Sequence, residues 1–167
     1  GHLLTIGVSL DNADRVQEIA ALDPRIHATV GVHPHEAEKT LKGVSLEDLK
    51  ATLLNVASNP NVVGYGETGL DYYYNHSPKR EQRQAFQVHI EAALEKDMPL
   101  IVHTRNAEDE TIELLRDVGQ GKARGVIHCF SGSESVADRS LELGFYISIS
   151  GIITFKKADE LRDIVKS

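Results

Sequence analysis

The sequence predicts an α/β fold built on a parallel sheet. Three observations carry that reading. Short apolar runs recur along the chain, amphipathic helical patterns fill the intervals, and the two alternate without a linker or low-complexity tract. The apolar runs are LLTIGVSL (3–10), IHATVGVH (26–33), VVGYGE (62–67), PLIVHT (99–104), GVIHCF (125–130) and FYISISG (145–151). They are rich in β-branched residues and short enough to be strands. They are nearly continuous rather than alternating, which suits strands covered on both faces.

The helices follow in order. In DNADRVQEIAAL (11–22), Val16, Ile19, Ala20 and Leu22 recur at helical spacing. SLEDLKATLLN (45–55) opens with Ser45 and Asp48, a start resembling a capping box. SPKREQRQAFQVHIEAALEKD (77–97) places Ser77 at the N-cap and Pro78 at the first helical position, with Phe86, Ile90, Ala93 and Leu94 along one face. AEDETIELLRDVG (107–119) and SESVADRSLELG (133–144) each end in glycine, a common stop signal. KKADELRDIVKS (156–167) begins a last helix.

This order leaves two parallel architectures, a (β/α)₈ barrel or an open doubly wound sheet. A complete barrel has eight units in about 250 residues, and only six are found here. No Gly-rich phosphate loop follows the first strand, which weakens the open nucleotide-binding reading.

With 41% hydrophobic and 26% charged residues, the chain reads as one globular domain over residues 1–167. Its net charge of −7 argues against bulk electrostatic binding of nucleic acid. It leaves room for a nuclease whose local site carries cations. Cys129 is the single cysteine, so no intrachain disulfide can form. With no signal-peptide pattern and no long apolar run, the expected compartment is the cytoplasm.

Function is read from where the polar residues fall. Glu67, His103 and His128 each stand at or near the C-terminal end of a predicted strand. In a parallel barrel those ends share the face that holds the active site. A buried lone carboxylate is costly, so Glu67 needs a partner. Two histidines and a glutamate suit a divalent metal, and a carboxylate can also bridge two ions. A single strand-end histidine is more often structural; three such residues on consecutive strands favour metal.

Arg105 lies two residues beyond His103 and shares its face if the strand persists, where it could hold a phosphate. A surface ion pair is the alternative. His33 and His35 flank Pro34 and could bond a phosphate, move protons or simply stabilise a turn. Tyr72, Tyr73 and Tyr74 could stack bases, with at least one packing over the barrel rim. Lys79, Arg80, Arg83, Lys156 and Lys157 start two helices on the same side, as a basic rim or as solvated charges. In HCFSGS (128–133) the helix start could take an anion or be capped by Ser133. His89 reads as structural within its helix, His2 and His27 receive no role, and Cys129 should point away from His128 into packing. No Ser-His-Asp or Cys-His nucleophile set stands out.

Taken together, GVHPHEA, GETGLDYYY with the following SPKREQRQAF, LIVHTR, GVIHCFSGS and FYISISGIITFK resemble the successive signatures of TatD-type metal-dependent hydrolases, in that family's order. The resemblance covers essentially the whole chain. It implies a (β/α)₈ TIM barrel of the amidohydrolase type. It also implies two divalent metal ions and phosphodiester hydrolysis of DNA, commonly as a 3′→5′ exonuclease on single-stranded ends. By motif match Glu67 is the bridging carboxylate, and His103 and His128 belong to the second-metal site. His33, His35 and Arg105 match positions near the substrate groove. Arg105 is further expected to clamp the scissile phosphate, and Tyr72 to touch substrate. The family's H-x-H on the first strand and its aspartate in E-T-D-A-P on the last are absent. The expectation is therefore strands two to seven of eight, with weak metal binding and little activity in this piece alone. The rival readings are another superfamily hydrolase, cleaving an amide, lactone or phosphotriester, and a non-catalytic barrel binding protein.

Overall fold

A computed structural model describes residues 1–166. The strands are β1 (Leu3–Ile6), β2 (Ile26–Val30), β3 (Val62–Asp71), β4 (Leu100–Arg105), β5 (Gly125–Ile127) and β6 (Tyr146–Ile147). Between and after them lie α1 (Ala13–Ala20), α2 (Ala37–Leu41), α3 (Leu46–Val56), α4 (Lys79–Lys96), α5 (Glu108–Asp117), α6 (Glu134–Glu142) and α7 (Asp159–Lys166). Every apolar run forms a strand. Short 3₁₀ turns at Leu10–Asn12, Pro34–Glu36 and Gly151–Thr154, and the small helix α2, were not legible in the pattern.

All pairings are parallel and the sheet order is β1-β2-β3-β4-β5-β6. An open doubly wound sheet reverses its strand order at a switch point. This sheet never does, so it is an arc of a barrel, with β1 and β6 as its edges. Leu3 and Tyr146 on those edges are exposed. Among the described residues no helix is long and apolar enough to cross a membrane.

The core lies between the sheet and its outer helices. Leu49 and Leu53 of α3, Phe86 and Ile90 of α4, and Leu100 and Val102 of β4 are fully buried. Each such side chain contributes roughly 1.5–3 kcal/mol of burial free energy. Ser45 caps α3 as expected, accepting the Asp48 N–H at 3.0 Å. The start of α4 differs from expectation. Pro78, not Ser77, occupies the N-cap. Ser77 is buried, donating to the His35 carbonyl at 2.9 Å and accepting the Glu38 N–H at 3.1 Å. The hydroxyl is worth more there, because it satisfies backbone groups of a loop that no ladder reaches.

The second difference concerns β3. The sequence suggested a strand ending at Glu67, but pairing with β4 resumes after a bulge and runs to Asp71, opposite Arg105. Gly66 (φ +140°) and Gly69 (φ +135°) make this possible. A Cβ at Gly66 would lie 2.4 Å from the Ile101 carbonyl oxygen, and one at Gly69 would lie 2.0 Å from that of His103. Glycines that looked like a turn are instead what lets two strands approach this closely.

Candidate metal centre

The bulge in β3 sets the site. It lifts Glu67 off the ladder, so that its N–H donates across β2 to the Gly7 carbonyl at 2.6 Å. The carboxylate then faces His33, just past β2, and His103 on β4. One ligand atom from each of His33, Glu67 and His103 lies within 4.8 Å of the other two. His103 Nδ1 is 3.2 Å from Glu67 Oε1, and its Nε2 is 3.0 Å from Asp71 Oδ2.

Asp71 was not singled out from the sequence, yet it organises the site. It is 1% exposed. Its Oδ2 bonds both His35 Nε2 and His103 Nε2 at 3.0 Å. Its Oδ1 accepts the N–H groups of Tyr73 and Tyr74 at 3.1 and 2.9 Å. His33 accepts the His35 N–H at 3.2 Å, and the two rings meet edge-on with centroids 4.4 Å apart.

The expected site residues are distributed as follows. Glu67 and His103 meet directly, and His33 joins them. His128 is half-buried in the turn after β5, its N–H donating to the Val102 carbonyl at 2.7 Å. It is close enough to lower the Glu67 pKa by its charge, but it lies outside the three-residue group. His35 faces Asp71 rather than the group. Arg105 is exposed at the end of β4, which does persist to that residue. Its guanidinium lies over Tyr73 and Tyr74 rather than in a carboxylate pair.

The Tyr72 hydroxyl donates to Glu110 Oε2 at 2.6 Å and Lys79 lies over its ring, so the side chain is held toward α4 and α5. The basic rim is partly neutralised, since Arg83 pairs with Glu110 and Arg80 with Glu81, both at 2.6 Å. Ser133 makes no side-chain capping bond to α6. Cys129 is exposed, with φ +48° and its Sγ 3.3 Å from His128 Nε2. The expected inward placement fails because β5 has already ended at Ile127, so strand alternation no longer governs; Phe130 fills the core instead.

The electrostatics follow from this packing. Burial opposes ionisation of Glu67, but the His103 hydrogen bond and the nearby His33, His103 and His128 outweigh it and hold its pKa below the usual range. Asp71 is likewise lowered against burial by the Tyr74 N–H, His35 and His103. Burial opposes protonation of His103, but Glu67 and Asp71 on its two sides raise its pKa. Burial, reinforced by His103, lowers His33 to about 4. The packing thus favours the ionised form of both carboxylates and the protonated form of His103, while His33 beside them stays neutral.

This donor set fits a divalent ion. Two imidazoles and a carboxylate converge, and a buried acid orients one imidazole from behind, the carboxylate–histidine arrangement that supports metal ligands. An arc of parallel strands with such a group at its carboxyl ends defines a barrel protein with a histidine–carboxylate metal site. The sequence pattern of the TatD related DNase family matches residues 1–167, and the chain belongs to that family.

Individual relatives agree. The chain is 38% identical over 161 residues to an uncharacterized metal-dependent hydrolase of Buchnera aphidicola subsp. Acyrthosiphon pisum, covering 96% of this chain and 61% of that protein. It is 34% identical over 166 residues to the 3′-5′ ssDNA/RNA exonuclease TatD of Klebsiella pneumoniae, covering 99% and 61%. The structure superposes on a TatD homologue from Escherichia coli K12 with a TM-score of 0.86 at 30% identity, covering 99% of this chain and 62% of that one. The chain therefore spans about three fifths of the length of these relatives.

Proposed function

We propose that residues 1–167 furnish strands two to seven of an eight-stranded barrel in a protein that hydrolyses phosphodiester bonds with divalent metal ions, acting on single-stranded DNA ends. The observation that carries this reading is the convergence of His33, Glu67 and His103, whose ligand atoms lie within 4.8 Å of one another. The printed activity of the Klebsiella relative supports the substrate class.

Glu67, His33 and His103 would hold one ion, with Glu67 able to bridge to a second beside His128. Bound ions of this kind lower the pKa of water and offset charge developing on a phosphate oxygen. The chain's own residues prepare the rest. Glu67 is kept ionised by its histidines. Asp71 holds His103 and His35 in fixed orientation. Arg105 presents in-plane N–H donors at the mouth of the site, where a scissile phosphate could be clamped.

The test uses the native full-length gene product beside this chain. Elemental analysis should find near-stoichiometric metal in the full-length protein, with single-stranded DNA cleavage abolished by chelator. Metal and cleavage should both be much reduced in the chain alone. Full-length protein that cleaves small esters or amides but not DNA would overturn the substrate assignment. Absence of both metal and hydrolysis would favour a binding protein.

A further inference from the structure

The turn after β3 carries flat side chains that the hydrolytic reading does not use. Tyr73 and Tyr74 are 55% and 50% exposed. Their rings are nearly perpendicular, with centroids 4.8 Å apart. The Arg105 guanidinium lies 4.2 Å from the Tyr73 centroid and 4.7 Å from that of Tyr74. Tyr74 also stacks on His76 at 5.6 Å with planes 8° apart. Their neighbour Tyr72 shows how a tyrosine in this tripeptide looks when its role is packing: it is half-buried against the core and its hydroxyl is bonded to Glu110. Tyr73 and Tyr74 keep half their surface in water.

Arg105 sharpens the contrast. In a chain of net charge −7, nearby Arg80 and Arg83 each have a carboxylate partner. Among the described residues Arg105 has none; its partners are the two rings. None of its guanidinium N–H groups is hydrogen-bonded among the described residues, which leaves them available for a phosphate.

The cluster is also fixed relative to the candidate metal centre. The same Asp71 carboxylate that bonds His35 and His103 through Oδ2 accepts the Tyr73 and Tyr74 N–H groups through Oδ1. Arg105 stands two residues beyond His103 on β4, about 7 Å along the strand and on the same side. That is the scale of one nucleotide unit.

We infer that Tyr73, Tyr74 and Arg105 form a nucleobase-and-phosphate platform beside the hydrolytic site. A base of a single-stranded nucleic acid stacks on the tyrosine–guanidinium surface, while the in-plane N–H groups of Arg105 take the adjoining phosphate. This inference rests on the reading of the substrate as nucleic acid, and it adds which residues grip the base.

The experiment is fluorescence anisotropy of the full-length protein with a labelled single-stranded oligodeoxynucleotide of about six nucleotides. Chelator is present so that nothing is cleaved, and an abasic strand of equal length serves as the second probe. Circular dichroism checks the fold of each variant. Wild type should prefer the base-bearing strand by roughly 5- to 100-fold, the range expected for stacking of a single base. The double variant Tyr73→Ala/Tyr74→Ala should lose that preference, and Tyr73→Phe/Tyr74→Phe should retain it. Arg105→Lys, which keeps charge but not the plane, should weaken binding of both strands. Equal binding of the two strands by wild type overturns the platform, as does a preference that survives the double alanine variant. If the full-length protein still cleaves single-stranded DNA in either case, only the platform falls. If it neither cleaves DNA nor binds either probe, the nucleic-acid reading falls with it.

Discussion

His89 makes a pH prediction whose size can be worked from the structure. It is fully buried in α4. Its Nδ1 lies 2.7 Å from the Ala85 carbonyl and its Nε2 accepts the Val32 N–H at 3.0 Å. One nitrogen must therefore donate and the other accept, which requires the neutral ring. Burial lowers its pKa from 6.5 to about 4, with the Ala85 bond opposing. Below the unfolded value the unfolded chain takes up a proton that the folded chain refuses. The unfolded state then binds more protons, so stability falls as pH falls. The contribution is whole above the unfolded pKa and is lost progressively down to the folded one. For these two values the loss between about pH 7 and about pH 5 is roughly 2 kcal/mol, in a range where most carboxylates remain ionised. His33, also lowered to about 4, adds to the wild-type slope, and His103, raised, opposes it. Urea unfolding at constant ionic strength should therefore show the His89 loss as the difference between wild type and His89→Gln. His89→Gln keeps an acceptor within reach of Val32 but cannot titrate, so it should be less stable than wild type near neutrality and flatter in pH. A variant whose stability falls as steeply as wild type over this range would refute the assignment of the slope to His89.

Three further predictions concern the site. Glu67→Gln keeps the shape and removes the charge, so metal content of the full-length protein should drop to background; unchanged content would remove Glu67 from the ligand set. Asp71→Asn takes away one of the two carboxylates that raise His103, so the imidazole signal followed by NMR in the metal-free chain should titrate at lower pH than in wild type. Gly69→Ala would place a Cβ 2.0 Å from the His103 carbonyl oxygen at a φ of +135°. Its urea midpoint should fall by the equivalent of roughly 3 kcal/mol or more, and a variant as stable as wild type would mean that β3 and β4 are not so closely apposed.

The parts of this fold that were legible in the sequence are those set by periodicity and capping. VVGYGE and LIVHT could only be buried strands, and Ser45 announced its helix. What was hidden depended on backbone conformations that residue type signals only ambiguously. Gly66-Glu67-Thr68-Gly69 reads as a turn by composition, yet its two positive-φ glycines instead carry β3 on to Asp71. A strand that ends at Glu67 would leave Asp71 in a turn, with nothing in the pattern to mark its place at the site. The same limit explains why His33 joins the group and His128 does not. Both follow a strand, but Pro34 opens a 3₁₀ turn beside His33, while the chain at His128 turns through Cys129 at φ +48°. Strand-end position selects the face of the barrel; the turn that follows selects the direction of the side chain.

The cost of burying Glu67 now has an answer at two levels. In the chain as described, the His103 proton shields it, held between Glu67 at 3.2 Å and Asp71 at 3.0 Å. Glu67 and Asp71 are both held below the usual carboxylate range, so the centre favours further positive charge. His33 does not supply that charge, because burial and the neighbouring His103 keep it neutral down to about 4. A divalent ion would supply it, and only if His103 first gives up its proton, since an imidazole must be neutral to ligate. Cation and proton therefore compete for the same two acids, and the pull of Glu67 and Asp71 on His103 is also what would draw the ion in. The geometry that raises the His103 pKa makes affinity for the ion fall with falling pH.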